Sequence, residues 1–481
     1  MSGIEAKEKE IKKAEKGEKD EKSKLEKELF SEHKSAWELM AADKKLAYRM
    51  SEDYREFIDT YKSEREIVSW AEKNAKKNGY VPLNEATANT KKIYATNHSK
   101  NFLMIDLENE KLSNGIRIIG SHIDTLRLDL KMSPAYESEP FMMLNLHYYG
   151  GIKKYQWLDV PLAMHGVVFN KKGEKVEIII GEKEDEPVFV ISDLLPHLEG
   201  TEGREKLAKD IIKGEELDAI AASVPIEDKK VKEKVKATFL KAMNDKYKIT
   251  ENDFASAELS LYPAIRSRDV GIDAGIIGAP AHDDRICSYL GFTSFLASKG
   301  TKAKMLLWVD KEEIGSVGNT SMESFFLENV LEKIIKLKKE NTSAREVLAN
   351  SKAISADVTS GFDPKFADKM DTMNMNKLGY GVAVEKYTGA GGKSYGSDAN
   401  AEYISWIRTM MEEAKIPWQH GELGKVDQGG GGTIAYILAK YNMEIVDMGT
   451  PVLAMHSPFE LVSKIDLYAT FLAYKAFYEK K

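Results

Sequence analysis

Residues 281–318, AHDDRICSYLGFTSFLASKGTKAKMLLWVDKEEIGSVG, set two pairs of adjacent acids around a continuous apolar run. Asp283 and Asp284 open a helix-like segment. The run Lys304–Val309 reads as a buried strand, and Glu312 and Glu313 follow where it ends, beside Gly315 and Gly318. Carboxylates just past the end of a buried strand cost stability unless they are solvated or paired. They are well placed for a site, because open α/β sheets bind ligands outside the carboxyl ends of their strands. Either pair alone also reads as a solvated turn, so other stretches decide.

The same arrangement recurs along the chain. In GIRIIGSHIDTLRLDLK a short strand, interrupted by Arg117, runs through Gly120 to His122 and Asp124. A strand-end His followed two residues later by Asp suits a metal ligand whose ring is oriented and made more basic by the acid. SKAISADVTSGFDPKF is an apolar strand ending in Asp357, and NMEIVDMGTPVLAMHSPFELVSK is a strand followed by a loop with His456. Between them KVDQGGGGTIAYILAKYN runs Gly429–Gly432 into Thr433 and a helix. This resembles an anion-cradling nest and equally a tight turn, with Gly431 and Gly432 the positions set for substrate contact. It lacks the Gly-Lys-Ser/Thr ending of a P-loop, which argues against nucleotide.

At 481 residues the chain exceeds one ordinary domain. Residues 31–132 and 255–481 read as an α/β catalytic domain with a central mixed sheet flanked by helices. Within it, residues 36–77 carry helical spacing up to Gly79, and Asn114-Gly115 reads as a hairpin turn. Residues 133–254 change to turns and short alternating runs with helix-like segments at 203–217 and 227–243, an inserted β-rich domain. There His197, in LLPHLEG, reads locally as packed or solvated. Residues 1–30 are a Lys/Glu-rich extension, read as a solvated helix or tail, with a partner-binding helix as the alternative. A net charge of −7 argues against nucleic acid or anionic membrane as partner. No apolar run is long enough to cross a bilayer, and no signal-like apolar core opens the chain. The single cysteine, Cys287, excludes an intramolecular disulfide and sits in an apolar run as a packed thiol. A cytoplasmic protein is expected.

His122, Asp283, Glu312-Glu313, Asp357 and His456 thus stand at separate strand ends or loops. Two imidazoles and three carboxylates can hold two divalent ions through one shared carboxylate, and zinc accepts such N and O ligands. One carboxylate must stay off the metal as general base. The adjacent glutamates fill both roles, Glu313 as ligand and Glu312 facing the water.

The segments GSHIDTLRLDLK, APAHDDRICSY, VDKEEIGS, ISADVTSGFDPKF, VDQGGGGTIA and GTPVLAMHSPFE, in this order, resemble the aspartyl aminopeptidase family of dinuclear zinc metallopeptidases, from about residue 80 to the end. The resemblance implies one zinc on His122, Asp283 and Asp357 and another on Asp283, Glu313 and His456, with cobalt or manganese as substitutes. It implies Glu312 as general base and acid, Asp124 orienting His122, and removal of one residue from the free N-terminus of short peptides. It further implies a zinc-exopeptidase-like fold with an inserted dimerisation domain, and dimers that build a tetrahedral dodecamer. In that assembly His197 would reach a neighbouring subunit's active site. Two departures stand out: Asp284 replaces the Asn common after the bridging Asp, which leaves it beside the site, and the 1–30 extension has no counterpart. The family contains enzymes preferring acidic and others preferring apolar N-terminal residues; Lys393 in GAGGKSYGS reads either as a solvated loop lysine or, by its position alone, as the basic group an acidic preference needs. Rival readings are another dinuclear amide hydrolase, such as a deacylase or carboxypeptidase, and a non-catalytic cargo or scaffold relative.

Overall fold

The strand Lys304–Val309 is buried at every residue and lies inside a nine-stranded sheet. Its five apolar residues pack against both faces, as in a sheet covered on two sides. Lys304, the one charged residue in it, turns its Nζ to Phe295 O at 2.8 Å, Ser298 O at 2.9 Å and Ser298 Oγ at 2.8 Å. The protein is described here from a computed structural model that covers residues 24–480 apart from 31–33, 109, 199 and 201–204. Residues 1–23 of the charged extension therefore lie outside the described residues.

Four strands at the heart of this sheet run parallel. Lys304–Val309 pairs with Arg117–His122, that strand with Lys352–Ser355, and the last with Glu444–Gly449. Register places Val309 beside His122 and Ser355 beside Gly120. The strand ends that carry His122, Glu312-Glu313 and Asp357 therefore emerge together at one edge. Beneath them, the largely buried helix His282–Ala297 packs against the helix Lys464–Glu479. An aromatic cluster fixes the far side, with ring centroids 4.7 Å apart for Trp70 and Phe292 and 5.6 Å for Phe292 and Trp308.

A five-stranded sheet supplies the remaining site segments. Its strand Ile276–Ala279 pairs with Glu460–Ser463, which forms a hairpin with Pro451–Leu453. Asp283 follows the first strand and His456 lies in the hairpin's turn. A third, six-stranded antiparallel sheet draws strands from Arg127–Ser138 through Ala257–Pro263.

Two local expectations change, while the helical pattern of residues 36–77 is carried by three helices, Ala36–Leu39, Lys44–Thr60 and Glu64–Lys77. The last restarts at a capping box, in which Ser63 and Glu66 satisfy each other's backbone N–H groups. Asn114-Gly115 makes no hairpin, because Asn101–Asp106 and Arg117–His122 each bond to Lys304–Val309, which lies between them. Residues 205–217 carry two short 3-10 turns, Ala208–Asp210 and Gly214–Glu216, where a helix was expected.

The six-stranded sheet meets the helix Glu64–Lys77 through buried ion pairs. His165 Nδ1 lies 2.9 Å from Glu66 Oε1 and its Nε2 2.8 Å from Glu182 Oε1. Burial opposes the imidazolium, but Glu182 and Glu66 outweigh it and raise the His165 pKa above 6.5. Burial likewise opposes the Glu66 charge, yet His165 and the Ser63 and Lys62 backbone N–H groups bring its pKa to about 2. The raised group stabilises the fold fully below its unfolded pKa and loses that effect as pH rises through its folded one. The depressed group does so above its unfolded pKa and loses it as pH falls through about 2. Their joint contribution is largest between about pH 4.5 and 6.5. We expect His165→Ala to lower stability by about 3 kcal/mol at pH 6 in urea titrations. The gap from the wild type should narrow by pH 10; an unchanged gap would show that His165 is uncharged in the folded protein.

Candidate metal centre

Five segments converge at the carboxyl edge of the parallel strands. Asp283 is the common member: its Oδ1 lies 3.2 Å from His122 Nε2 and its Oδ2 lies 3.2 Å from His456 Nε2. Glu313 Oε2 is 3.4 Å from His456 Nε2, Asp357 Oδ1 is 3.8 Å from His122 Nε2, and Glu312 Oε2 is 4.0 Å from His122 Nε2. Ligands about 2.0–2.2 Å from a tetrahedral zinc stand roughly 3.3 Å apart. The spacing of these donors therefore matches the edge of a zinc coordination shell.

Each imidazole is held from behind, which turns Nε2 inward. His122 Nδ1 faces Asp124 O at 3.1 Å and Asp124 Oδ1 at 3.2 Å. His456 Nδ1 donates to Gly151 O at 3.0 Å. Asp124 also accepts the backbone N–H groups of Glu312 and Glu313, both at 3.2 Å, and the Tyr149 hydroxyl at 2.9 Å.

The charge balance calls for cations. Burial opposes the Asp283 charge, but the flanking His122 and His456 hold the carboxyl below its usual range. Burial, reinforced by Asp357, Asp124 and Asp283, pushes Glu312 up to about 8. Burial and Asp283 drive Glu313 up, and burial drives Asp357 up, with Asp283 adding to it. Glu313 Oε1 and both Asp284 oxygens are buried without a hydrogen-bond partner. A buried carboxylate oxygen left bare is strongly unfavourable, and divalent ions answer this donor set. Among the described residues, two groupings have ligand atoms all within 4.8 Å of one another: His122, Asp283 and Glu313, and His122, Asp284 and Asp357. Asp284, expected beside the site, thus stands close enough to reach it.

The site opens into a cleft of about 720 Å³. Lys393, Gly431 and Gly432 line it together with Glu385 and Tyr387. Lys393 Nζ is already engaged, 2.9 Å from Asp398 Oδ2 and 4.0 Å from the centre of the Tyr387 ring. The glycine run is no helix-capping nest, since the helix after it, Ala435–Leu438, has only four residues; Gly431 O instead accepts the Gly389 N–H at 2.7 Å. His197 sits in an exposed turn of the six-stranded unit and does not line the cleft of its own chain.

Sequence reading did not pick out Glu460. Its two oxygens accept the backbone N–H of Asp283 at 3.0 Å and of His456 at 2.7 Å. It therefore ties the two loops that hold Asp283 between the histidines. An acid opening the short strand Glu460–Ser463, four residues after His456, was the available signal.

Imidazoles and carboxylates gathered at the carboxyl ends of a mixed, helix-flanked sheet define a metal-dependent hydrolase. Residues 57–478 match the family described as aminopeptidase I zinc metalloprotease (M18). A probable M18 family aminopeptidase 1 from Clostridium acetobutylicum is 43% identical over 461 residues, covering 94% of this chain and 99% of the relative. The crystal structure of an M18 aminopeptidase from Thermotoga maritima superposes with a TM-score of 0.90 at 41% identity, over 94% of this chain and all of that one. At 19% identity the S. cerevisiae mApe1 dodecamer shares the fold, with a TM-score of 0.72 over 89% of this chain and 96% of that one. The chain belongs to the M18 family. It is a metallopeptidase that removes N-terminal residues. No helix among the described residues is long and apolar enough to cross a membrane.

Glu460→Ala should leave the fold intact by circular dichroism yet weaken metal retention about 10–100-fold, the usual scale for groups that orient ligands. Metal analysis after graded dialysis checks this; full retention would mean that the two loops are held by other contacts.

Proposed function

We propose that the chain is a dinuclear zinc aminopeptidase acting on short peptides with a free N-terminus. The observation that carries this reading is Asp283, whose two oxygens each face a different imidazole at 3.2 Å. His122, Asp283 and Asp357 would hold one ion, and Asp283, Glu313 and His456 the other, with cobalt or manganese able to replace zinc. Bound there, the ions supply an acidified water and polarise the scissile carbonyl.

The protein groups do the rest. Asp124 keeps the His122 ring oriented and fixes the backbone that presents Glu312 and Glu313. Glu312 stands outside both ligand triplets, and its Oε2 takes the proton of the attacking water and returns it to the leaving amine. Lys393, Gly431 and Gly432 form the substrate walls of the cleft, whose volume suits a short peptide.

Residues 31–132 and 255–481 act as the catalytic domain and 133–254 as a dimerisation domain, from which dimers assemble to a tetrahedral dodecamer. The like-folded mApe1 dodecamer supports such an assembly. His197, exposed on the six-stranded unit, would complete the cleft of a neighbouring subunit.

Glu312→Gln should keep its metal but lose about 10³-fold in kcat on aminoacyl chromogenic substrates, and near-normal turnover would remove it as the base. Free peptides should be cut and N-acetylated ones spared; the reverse would point to a deacylase. Mixed His197→Ala and Glu312→Gln subunits should regain activity that neither variant has alone. Absence of rescue after confirmed subunit exchange would place His197 outside the catalytic centre.

A further inference from the structure

We infer that Tyr149 and Gly151, which belong to the six-stranded sheet and the turn that leaves it, are positioning residues for both imidazoles of the metal centre. The inference rests on the reading that His122 and His456 bind metal through Nε2. The strand Phe141–Tyr149 leaves its sheet and turns at Gly150-Gly151 directly behind the site. The Tyr149 hydroxyl donates to Asp124 Oδ2 at 2.9 Å, and Gly151 O accepts from His456 Nδ1 at 3.0 Å. Both outer hydrogen-bond chains of the site therefore end on one short turn that the catalytic sheet does not contain.

Asp124 is the hub of the first chain. A carboxylate offers about four acceptor positions, and here His122 Nδ1 and the Glu312 N–H meet Oδ1 while the Glu313 N–H and the Tyr149 hydroxyl meet Oδ2. Asp124 is fully buried. Loss of the Tyr149 hydroxyl would leave a buried anion short of a charge-assisted bond, with no solvent at hand to replace it. The carboxylate would then be free to shift, and with it the His122 ring and the backbone of both glutamates.

The turn is fixed from two sides. Gly150 has φ +76°, and a Cβ there would fall 2.4 Å from Leu126 Cδ1 and 3.4 Å from Glu313 Cβ. The positive φ and the Leu126 methyl favour glycine there, while Glu313 lies at ordinary contact distance. On the other side the Arg127 guanidinium lies 3.7 Å from the centre of the Tyr149 ring and is held by Glu64 at 2.6 Å and Asp129 at 2.7 Å. Glu64 opens the helix Glu64–Lys77, whose Glu66 grips His165 of the six-stranded sheet. The sheet's docking and the orientation of the metal ligands thus share one contact path, so a displaced sheet would loosen the metal before the catalytic domain unfolds.

The test uses the full chain with Tyr149→Phe, which keeps the ring over Arg127 and removes only the hydroxyl. Zinc affinity is measured by chelator competition, alongside the melting temperature of the metal-free protein. Zinc should bind about 10–100-fold more weakly in a chain that is still fully folded at the assay temperature, as the metal-free melting curve checks, a combination that global destabilisation would not give. Gly150→Ala, which pushes the turn off Leu126, should weaken zinc in the same way. Tyr148→Phe, at an exposed neighbour on the same strand, should leave it unchanged. Wild-type zinc affinity in both Tyr149→Phe and Gly150→Ala overturns the inference, while a loss of zinc in His122→Ala and His456→Ala would show that the metal reading itself still holds. If those histidine variants keep their zinc, both fall.

Discussion

One carboxylate organises the site. Asp283 lies between two imidazoles, each 3.2 Å from a different oxygen, and everything around it serves to hold that arrangement. Glu460 grips the backbone of Asp283 and of His456. Asp124 grips the His122 ring and the Glu312-Glu313 backbone. Without cations the cluster would concentrate buried negative charge that its hydrogen bonds do not offset, which is why burial and the neighbouring carboxylates raise the pKa of Glu312, Glu313 and Asp357. The family's zinc answers that imbalance, supplying the positive charge that the ligands lack.

Three sheets meet at this point, each with a separate task. The nine-stranded sheet aligns three strand ends by parallel pairing, the one geometry that brings successive carboxyl ends to the same edge. The five-stranded sheet folds back from the chain's carboxyl-terminal part to deliver His456 opposite His122. The six-stranded sheet closes the rear, through the turn after Phe141–Tyr149 and through the ion pairs of Arg127 and His165.

The ligand-bearing strand ends were legible in the sequence because their signal is local: an apolar run, then an acid or a histidine. Lys304–Val309 has the expected bounds for that reason. What was not legible depends on contacts between distant segments. Gly115 reads as a hairpin residue, but its φ of +80° serves a close approach in which a Cβ would fall 2.0 Å from Asn350 O. The 36–77 helix pattern continues through residues 61–63, yet Tyr61 caps the end of one helix and Ser63 the start of the next, a break set by the Ser63–Glu66 exchange and not by the apolar period. The 205–217 segment has helix-like spacing at Leu207, Ile211 and Ile212, but Gly214 interrupts it, and Ile212 and Leu217 reach the core of the six-stranded unit from short turns instead. Glu460 left only a faint signal, its acid type and its place four residues after His456, while Tyr149 acts through Asp124 and Gly151 through its backbone carbonyl, so neither residue type nor spacing points to the site those two serve.

The most direct test of this account is the zinc content of purified protein, measured by elemental analysis for the wild type and for Asp283→Ala. A shared carboxylate predicts two ions per chain in the wild type and loss of both in the variant, since each ion would lose a ligand and the other's fixed partner. An Asp283→Ala protein that keeps one tightly held zinc would contradict the shared arrangement, and a wild type with a single ion would contradict it outright.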